Sequence, residues 1–412
     1  MNALSEEAIA FVLKLGRGLH SHGYPAHRLE AALVRVSHRL GLHGQFFSMP
    51  TALFASFGLE HDQRTFQIRV EPGAMDLRTL AALEAVADAV ADGLTDPAEG
   101  ARRIDAAMAA PDPYPPWLTT LCFAVSSAAA ARFFGGGAGE IAASALVGLV
   151  VGLLALLAQR VAPLGRVFEA AAAVTSALLA TVAGRYFGPL SIYIPTLAGI
   201  IVLVPGFTLT VAVTELATRN LVSGTARLAG AAGTFLAIGF GVALGTRLGA
   251  ALVGELPAVR PVGLPLWTEW VALLLAPLAL TVLLRAPLRD VVWFEIACAL
   301  AFGGARLGTV ILGAELGTFL GAFLVAAASN GYARLLDRPS AIPLVPALLL
   351  LVPGALGFRS LSSLIDHETV SGIEAAFRMT LVAISLAMGL LFGQLLVPPR
   401  GVRRSESAPP SA

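Results

Sequence analysis

Two stretches of the chain decide how the rest is read: residues 194–206, IPTLAGIIVLVPG, and residues 342–354, IPLVPALLLLVPG. They lie 148 positions apart and align without a gap. Ile194-Pro195 falls on Ile342-Pro343, and Leu203-Val204-Pro205-Gly206 falls on Leu351-Val352-Pro353-Gly354. At the same offset Leu216 falls on Leu364, Val222-Ser223-Gly224 on Val370-Ser371-Gly372, and Gly241 on Gly389. Chance supplies one such match easily, but the set at one offset reads as an internal repeat. Eight residues separate Pro195 from Val204, and eight separate Pro343 from Val352. That is about 12–15 Å of helix, short of the ~30 Å hydrocarbon core of a bilayer. Proline then removes a backbone donor and glycine frees the turn, so each copy reads as a broken helix. At membrane depth such backbone must face protein or a water-filled cavity.

The composition around these stretches is that of an integral membrane protein. Of 412 residues, 56% are hydrophobic and 13% charged, against about 25% charged in a soluble domain. Mean hydropathy is +0.77. The net charge of +1 excludes a nucleic-acid binder, which needs a basic excess to neutralise phosphates. The charge is uneven. Residues 1–116 hold 24 charged residues, 10 basic and 14 acidic, whereas residues 117–396 hold 27 over 280 positions. A cytoplasmic domain over 1–116 is therefore expected before the membrane part, with Pro111, Pro113, Pro115 and Pro116 at the boundary. Glu6 and Glu7 stand where a signal peptide would be basic. Cys122 and Cys298 fall in apolar segments, which excludes a disulfide scaffold.

Ten segments have the apolar character of membrane helices: 117–134, 139–158, 166–184, 190–206, 226–246, 266–284, 290–305, 307–329, 341–357 and 373–396. With residues 1–116 inside, inner loops carry eleven arginines and outer loops or helix ends seven. This bias agrees with both termini being cytoplasmic in the cell (inner) membrane. Five spans separate equivalent points of the repeat, so the copies insert in opposite orientation. The expected fold is a polytopic α-helical membrane protein of about ten helices in a 5+5 inverted repeat. The repeats cover 117–260 and 261–397, behind a small α+β domain, with 398–412 a disordered tail. Gly241, Gly245 and Gly249, Gly313, Gly317 and Gly321, and Gly148 with Gly152 have the spacing of close helix contacts.

Inverted repeats with paired broken helices are the plan of secondary transporters, and the breaks point at the substrate site. The substrate-binding candidates are Pro205, Gly206, Thr208, Thr210, Glu215 and Asn220 in the first copy, and Pro353, Gly354 and Ser362 in the second. Thr214, Ser360, Ser363 and Asp366 are further polar residues beside the breaks. A bland reading competes: V-P-G ends a span and a solvated amphipathic helix follows. Three carboxylates within expected spans are proton-coupling candidates: Glu295 near the middle of its segment, Glu315 eight residues into the next, and Glu169. Glu140 is a weaker one. A carboxyl group in the bilayer is costly unless protonated or paired. The alternative is an ion pair that pins helices, with Arg306 or Arg378 as partner.

In the N-terminal part, 5–22 and 26–41 have helical spacing, 45–57 and 63–71 read as strands, and 76–92 and 96–109 as two further helices. His20, His22, His27, His38, His43 and His61 cluster here. They have no accompanying acidic or cysteine set, so no metal and no cofactor are expected. The run from Ser21 to Glu30, with Gly23, Pro25, Arg28 and Glu30, resembles the G-x-P-x-x-R-x-E signature of the threonine/serine exporter family. Ser48-Met49-Pro50-Thr51 with Ala55-Ser56-Phe57 fits its strand region, and the two I-P…L-V-P-G stretches resemble its two membrane halves. The resemblance spans about residues 8–396. It implies export of L-threonine and L-serine from the cytoplasm driven by the proton gradient. The partners would then be the amino acid, protons and the lipid bilayer, and a homo-oligomer stays open. The motif's Gly-Pro makes a turn, Arg28 and Glu30 cap or pair within the domain, and the turn can meet the inner mouth of the membrane part.

Other classes fit less well. A hydrolase lacks G-x-S-x-G, H-E-x-x-H and paired-cysteine zinc patterns, so the chain does not read as an enzyme. A sensor with a membrane anchor has no use for ten spans and a repeat. A channel remains an alternative.

Overall fold

The structure is a computed structural model and describes residues 3–58, 62–71, 73–257, 259–365 and 368–399. His61, Asp366 and the tail from residue 400 lie outside the described residues. The N-terminal unit comprises α1 (Ala3–Ser21), α2 (Ala26–Arg39), β1 (Gly44–Met49), β2 (Ala52–Phe57), β3 (Arg64–Arg69), α3 (Leu77–Ala91) and α4 (Pro97–Ala109). Phe11, Val12, Leu15 and Leu19 recur along one face of α1 and are fully buried. Leu29, Leu33 and Val36 of α2, Leu53 of β2 and Leu80 and Leu83 of α3 close the core around them. Asp76 and Asp96 cap α3 and α4, accepting from Thr79 N and Glu99 N.

The sheet corrects the sequence reading. The strand expected over 45–57 is two strands, turned at Pro50-Thr51, and the antiparallel order is β1-β2-β3. Proline cannot donate to a ladder, and the pairing resumes on either side, with Met49 opposite Ala52.

The helices that follow are α5 (Pro116–Phe133), α6 (Ala138–Arg160), the short α7 (Ala162–Gly165), α8 (Phe168–Tyr186), α9 (Tyr193–Gly199), α10 (Gly206–Ala217) and α11 (Leu221–Val253). Then come α12 (Trp267–Leu283), α13 (Val291–Leu312), α14 (Gly317–Leu336), α15 (Ala341–Leu351), α16 (Gly354–Ile365) and α17 (Thr369–Leu396). Among the described residues, six segments are long and apolar enough to cross a membrane. They are Ala138–Arg160, Leu221–Val253, Leu288–Leu312, Gly317–Leu336, Ala341–Leu364 and Thr369–Leu396, with Gly206–Ala217 and Trp267–Leu283 as shorter apolar helices. The remaining expected spans fall short for local reasons. Alanine, serine and terminal charges dilute α5 and α8, and α9 is seven residues long.

One boundary is corrected. The segments expected at 290–305 and 307–329 divide later, because α13 runs on to Leu312. Gly313 ends it in extended backbone at φ +88, a positive φ that favours glycine. Arg306, placed by the sequence at a helix end, is inside α13.

Both V-P-G stretches interrupt their helices. The chain turns between α9 and α10, and Val352 is extended between α15 and α16. Contacts recur at the repeat's offset or within one residue of it. A Cβ at Gly241 of α11 would lie 2.4 Å from Ala170 O of α8, and one at Gly389 of α17 2.5 Å from Phe319 O of α14. Gly224 packs on Leu216 and Ala212 O, and Gly372 packs on Leu364 and Ser360 O.

The N-terminal unit is joined to one end of the helical part. Leu77 N donates to Leu284 O at 3.0 Å, Arg285 pairs with Asp112 at 2.9 Å, and Tyr114 Oη donates to Ala286 O. Leu284, Phe294, Ile342 and Val345 extend its apolar core. At that end α10 finishes and α15 begins, so the two run in opposite directions across the molecule.

Candidate functional site

The two breaks touch each other. A Cβ at Gly206 would stand 2.9 Å from Val352 and 3.1 Å from Gly354 N, and one at Gly354 would stand 2.7 Å from Val204. Gly206 N donates to Val204 O at 2.8 Å, so this amide is already used by the turn. Pro205, Gly206, Pro353 and Gly354 thus come together as a close crossing of two backbones. It is too tight to hold a ligand at its centre.

A cavity lies beside this crossing, towards the N-terminal unit. Gly23, Tyr24, Pro25, His27 and Arg28 form one wall. Phe207, Thr210, Val211 and Thr214 of α10, Leu344, Val345 and Leu348 of α15, and Gln394 of α17 form the others. It offers about 60 Å³ to the centres of water molecules, room for a handful of them. Thr210 and Thr214 donate their hydroxyls to Gly206 O at 3.1 Å and Thr210 O at 2.8 Å. Their oxygen lone pairs remain as acceptors.

The G-x-P-x-x-R-x-E motif is what places the N-terminal wall. Gly23, at φ +84, lets the chain leave α1, with Gly23 N on His20 O and Tyr24 N on Leu19 O. Pro25 stands at the N-cap of α2 in extended geometry. Tyr24 Oη donates to Glu84 at 2.6 Å, and burial raises the Glu84 carboxyl above its usual range. The sequence reading allowed Arg28 and Glu30 to pair, and they do not. Arg28 donates to Ser340 Oγ at 3.2 Å, just before α15, whereas Glu30 accepts from Ser48 N at 2.7 Å and holds β1.

Glu215, a substrate candidate by sequence, is instead a buried junction. It accepts from Ala26 N at 2.9 Å and Ser223 Oγ at 2.9 Å, and pairs with Arg227 at 3.0 Å. It ties the start of α2 to α10 and α11. Two histidines feel the charge of Arg227. Burial, then the charge of Arg227, lowers His20 to about 4. Burial, then Arg28 and Arg227, lowers His27 to about 4. Both are thus neutral at ordinary pH. No group able to hold a metal occurs among the described residues.

Of the substrate-binding candidates, Thr210 lines the cavity. Asn220 turns back on Thr218 O at 3.3 Å, and Thr208 and Ser362 are half-buried elsewhere on α10 and α16. The carboxylates divide too. Glu295 lies in the second turn of α13, not at its middle, and its Oε1 is buried with no partner among the described residues. Glu315 lies in the turn between α13 and α14, not within a span, and faces Arg378 at 3.6 Å. Glu169 is half-buried in the first turn of α8. Glu140 is fully engaged by Gly137 N and Ser191 N, each at 3.0 Å. Sequence reasoning missed Ser340 and Gln394. The second had a signal, as the single amide side chain of an apolar 28-residue helix.

Comparison with known proteins agrees with this architecture. Residues 10–249 match the family model described as putative threonine/serine exporter, and residues 269–396 match a second, described as threonine/serine exporter. Pheromone-regulated membrane protein 10 of Candida albicans is 27% identical over 96% of this chain and 38% of its own length. The protein of that name from Saccharomyces cerevisiae is 26% identical over 96% of this chain and 54% of its own. An uncharacterized Schizosaccharomyces pombe protein is 26% identical, over 96% and 56%. The chain therefore spans about half or less of these relatives' lengths. No solved structure matches. By the two family matches, the chain is a membrane protein belonging to the threonine/serine exporter family.

Proposed function

We propose that the chain exports small hydroxy amino acids, L-threonine and L-serine, from the cytoplasm across the cell membrane, driven by the proton gradient. In this reading ten spans form a 5+5 inverted repeat over 117–260 and 261–397. The N-terminal unit over 1–116 and both chain ends face the cytoplasm. The observation that carries it is the direct crossing of two equivalent broken helices beside a small cavity. Broken helices at the repeat interface are where secondary transporters hold substrate. Family membership supports the substrate class, and matching contacts at the 148-residue offset support the repeat.

For proton coupling, Glu295 is the stronger candidate, because its buried Oε1 has no partner among the described residues. Glu315 already has Arg378 and fits a helix-pinning pair better. Flux of labelled serine and threonine into or out of proteoliposomes, with and without a pH gradient, tests the reading. Uphill movement that collapses with the gradient is expected. Purely downhill movement would make the protein a channel, and no amino-acid flux would refute export. Glu295→Gln should abolish gradient dependence while Glu315→Gln retains it.

A further inference from the structure

We infer that Arg28, on the N-terminal unit, is the receptor for the carboxylate of the transported amino acid. This rests on the export reading and adds to it a binding residue from outside the membrane helices. Among the described residues, Arg28 is the only permanently charged side chain lining the cavity, and no Asp or Glu lines it. The cavity therefore favours an anionic group and disfavours a lone cation. Arg28 also differs from the other shielded arginines. Arg227 is paired with Glu215, Arg338 with Asp290 and Arg132 with Glu269. Arg28 has only the neutral Ser340 hydroxyl at 3.2 Å, and no ion pair among the described residues. The nearby Glu84 carboxyl, which feels its charge, is held by Tyr24.

A half-buried arginine that lines a small cavity and has one neutral hydrogen-bond partner is matched by a carboxylate that can take two parallel N–H bonds. The rest of the wall suits the remainder of an amino acid. Thr210 and Thr214 offer acceptor lone pairs to an ammonium or a hydroxyl, and Gln394 offers both a donor and an acceptor. Phe207, Val345 and Leu348 leave room for a short side chain and exclude a large one. An incoming carboxylate would replace Ser340 as the partner of Arg28. Substrate would then bridge α10 to the very turn that closes this end of the cavity.

The test is equilibrium binding to the full-length protein in lipid nanodiscs, comparing L-threonine with its methyl ester. The ester keeps the ammonium and hydroxyl and lacks the negative charge. The unsubstituted protein should prefer the acid. Arg28→Gln should weaken acid binding by ~10–100-fold, the usual scale for a desolvated charged hydrogen bond, while ester binding moves by less than ~3-fold. Arg28→Lys, which keeps the charge and loses the fork, should restore part of the preference. An acid preference that survives in folded Arg28→Gln overturns the assignment. So does equal binding of acid and ester by the unsubstituted protein, a result that needs no variant to fold. If the unsubstituted protein binds and transports no amino acid at all, it is the export reading that fails.

Discussion

The two V-P-G units share their packing and differ in their wiring. In both, a glycine one turn into the next long helix sits on a leucine and a carbonyl: Gly224 on Leu216 and Ala212 O, Gly372 on Leu364 and Ser360 O. The polar residues at these places are unlike. Glu215, Ser223 and Arg227 make a buried cluster in the first unit, and the positions 148 further on are Ser363, Ser371 and Ala375. The first unit is the one whose end meets α2. Apolar and glycine contacts build the shared scaffold, and the carboxylate-centred cluster marks the end that takes the N-terminal unit.

The largest effect should come where the units meet. Pro205→Leu or Pro353→Leu restores a backbone donor and lets a helix continue through the crossing. Transport should fall by ~100-fold or more, the scale of a misplaced site, with membrane insertion intact by fractionation. Near-normal efflux from either variant would remove the crossing from the mechanism. Loss in one variant only would show that the breaks are not equivalent.

Next in size is the difference in wiring. Glu215→Ala leaves Arg227 buried without its partner and Ala26 N without an acceptor, a loss of about 3–5 kcal/mol. Ser363→Ala, at the matching place, should cost less than about 0.5 kcal/mol. Thermal melting and protease cleavage after the N-terminal unit check both. Equal costs would mean that the cluster does not hold the docked unit.

The shared scaffold gives a third comparison. Gly241→Ala and Gly389→Ala each force a Cβ against a backbone carbonyl at about the same distance, and each should cost about 1–3 kcal/mol. Melting temperatures should fall alike. Clearly unequal falls would argue that the packing is not repeated.

How much of this could be read from the sequence depends on the kind of contact. The V-P-G breaks, the Gly23-x-Pro25 turn and the small-residue stripes were legible, because proline, glycine and periodicity act on the local backbone. The hairpin at Pro50-Thr51 carried its own signal, and a strand read straight through a proline was the error. The later end of α13 was missed because the expected division was set at Arg306, whereas the helix carries that arginine inside it and stops at Gly313. The site was less legible than the fold. Glu215 looked like a ligand for substrate because its partners are Ala26, 189 positions away, and Arg227 on another helix. Glu315 was placed within a span because the end of α13 was set too early, whereas Arg378, named from the sequence as a helix-pinning partner, is the residue it faces. Arg28 was singled out by a motif, but its place beside Ser340 follows from how two units dock.

The last comparison concerns His20 and His27, which lie on the N-terminal unit where it meets the end of the first V-P-G unit. His20 and His27 sit at about 4 in the folded chain, below the ordinary 6.5. Above pH 6.5 neither the folded nor the unfolded state holds the extra proton, and stability is complete. As pH falls from 6.5 the unfolded chain takes up protons first, so stability declines until about pH 4, where the folded chain takes them as well. Burial is the larger cause and Arg227 contributes to both, with Arg28 also acting on His27. The melting temperature of the full-length protein should therefore fall between pH 6.5 and 4.5. His20→Phe combined with His27→Gln should flatten that slope, whereas substitutions around Ser363 leave it unchanged. A slope that survives the double substitution would place the pH sensitivity elsewhere and separate it from the docking of the N-terminal unit.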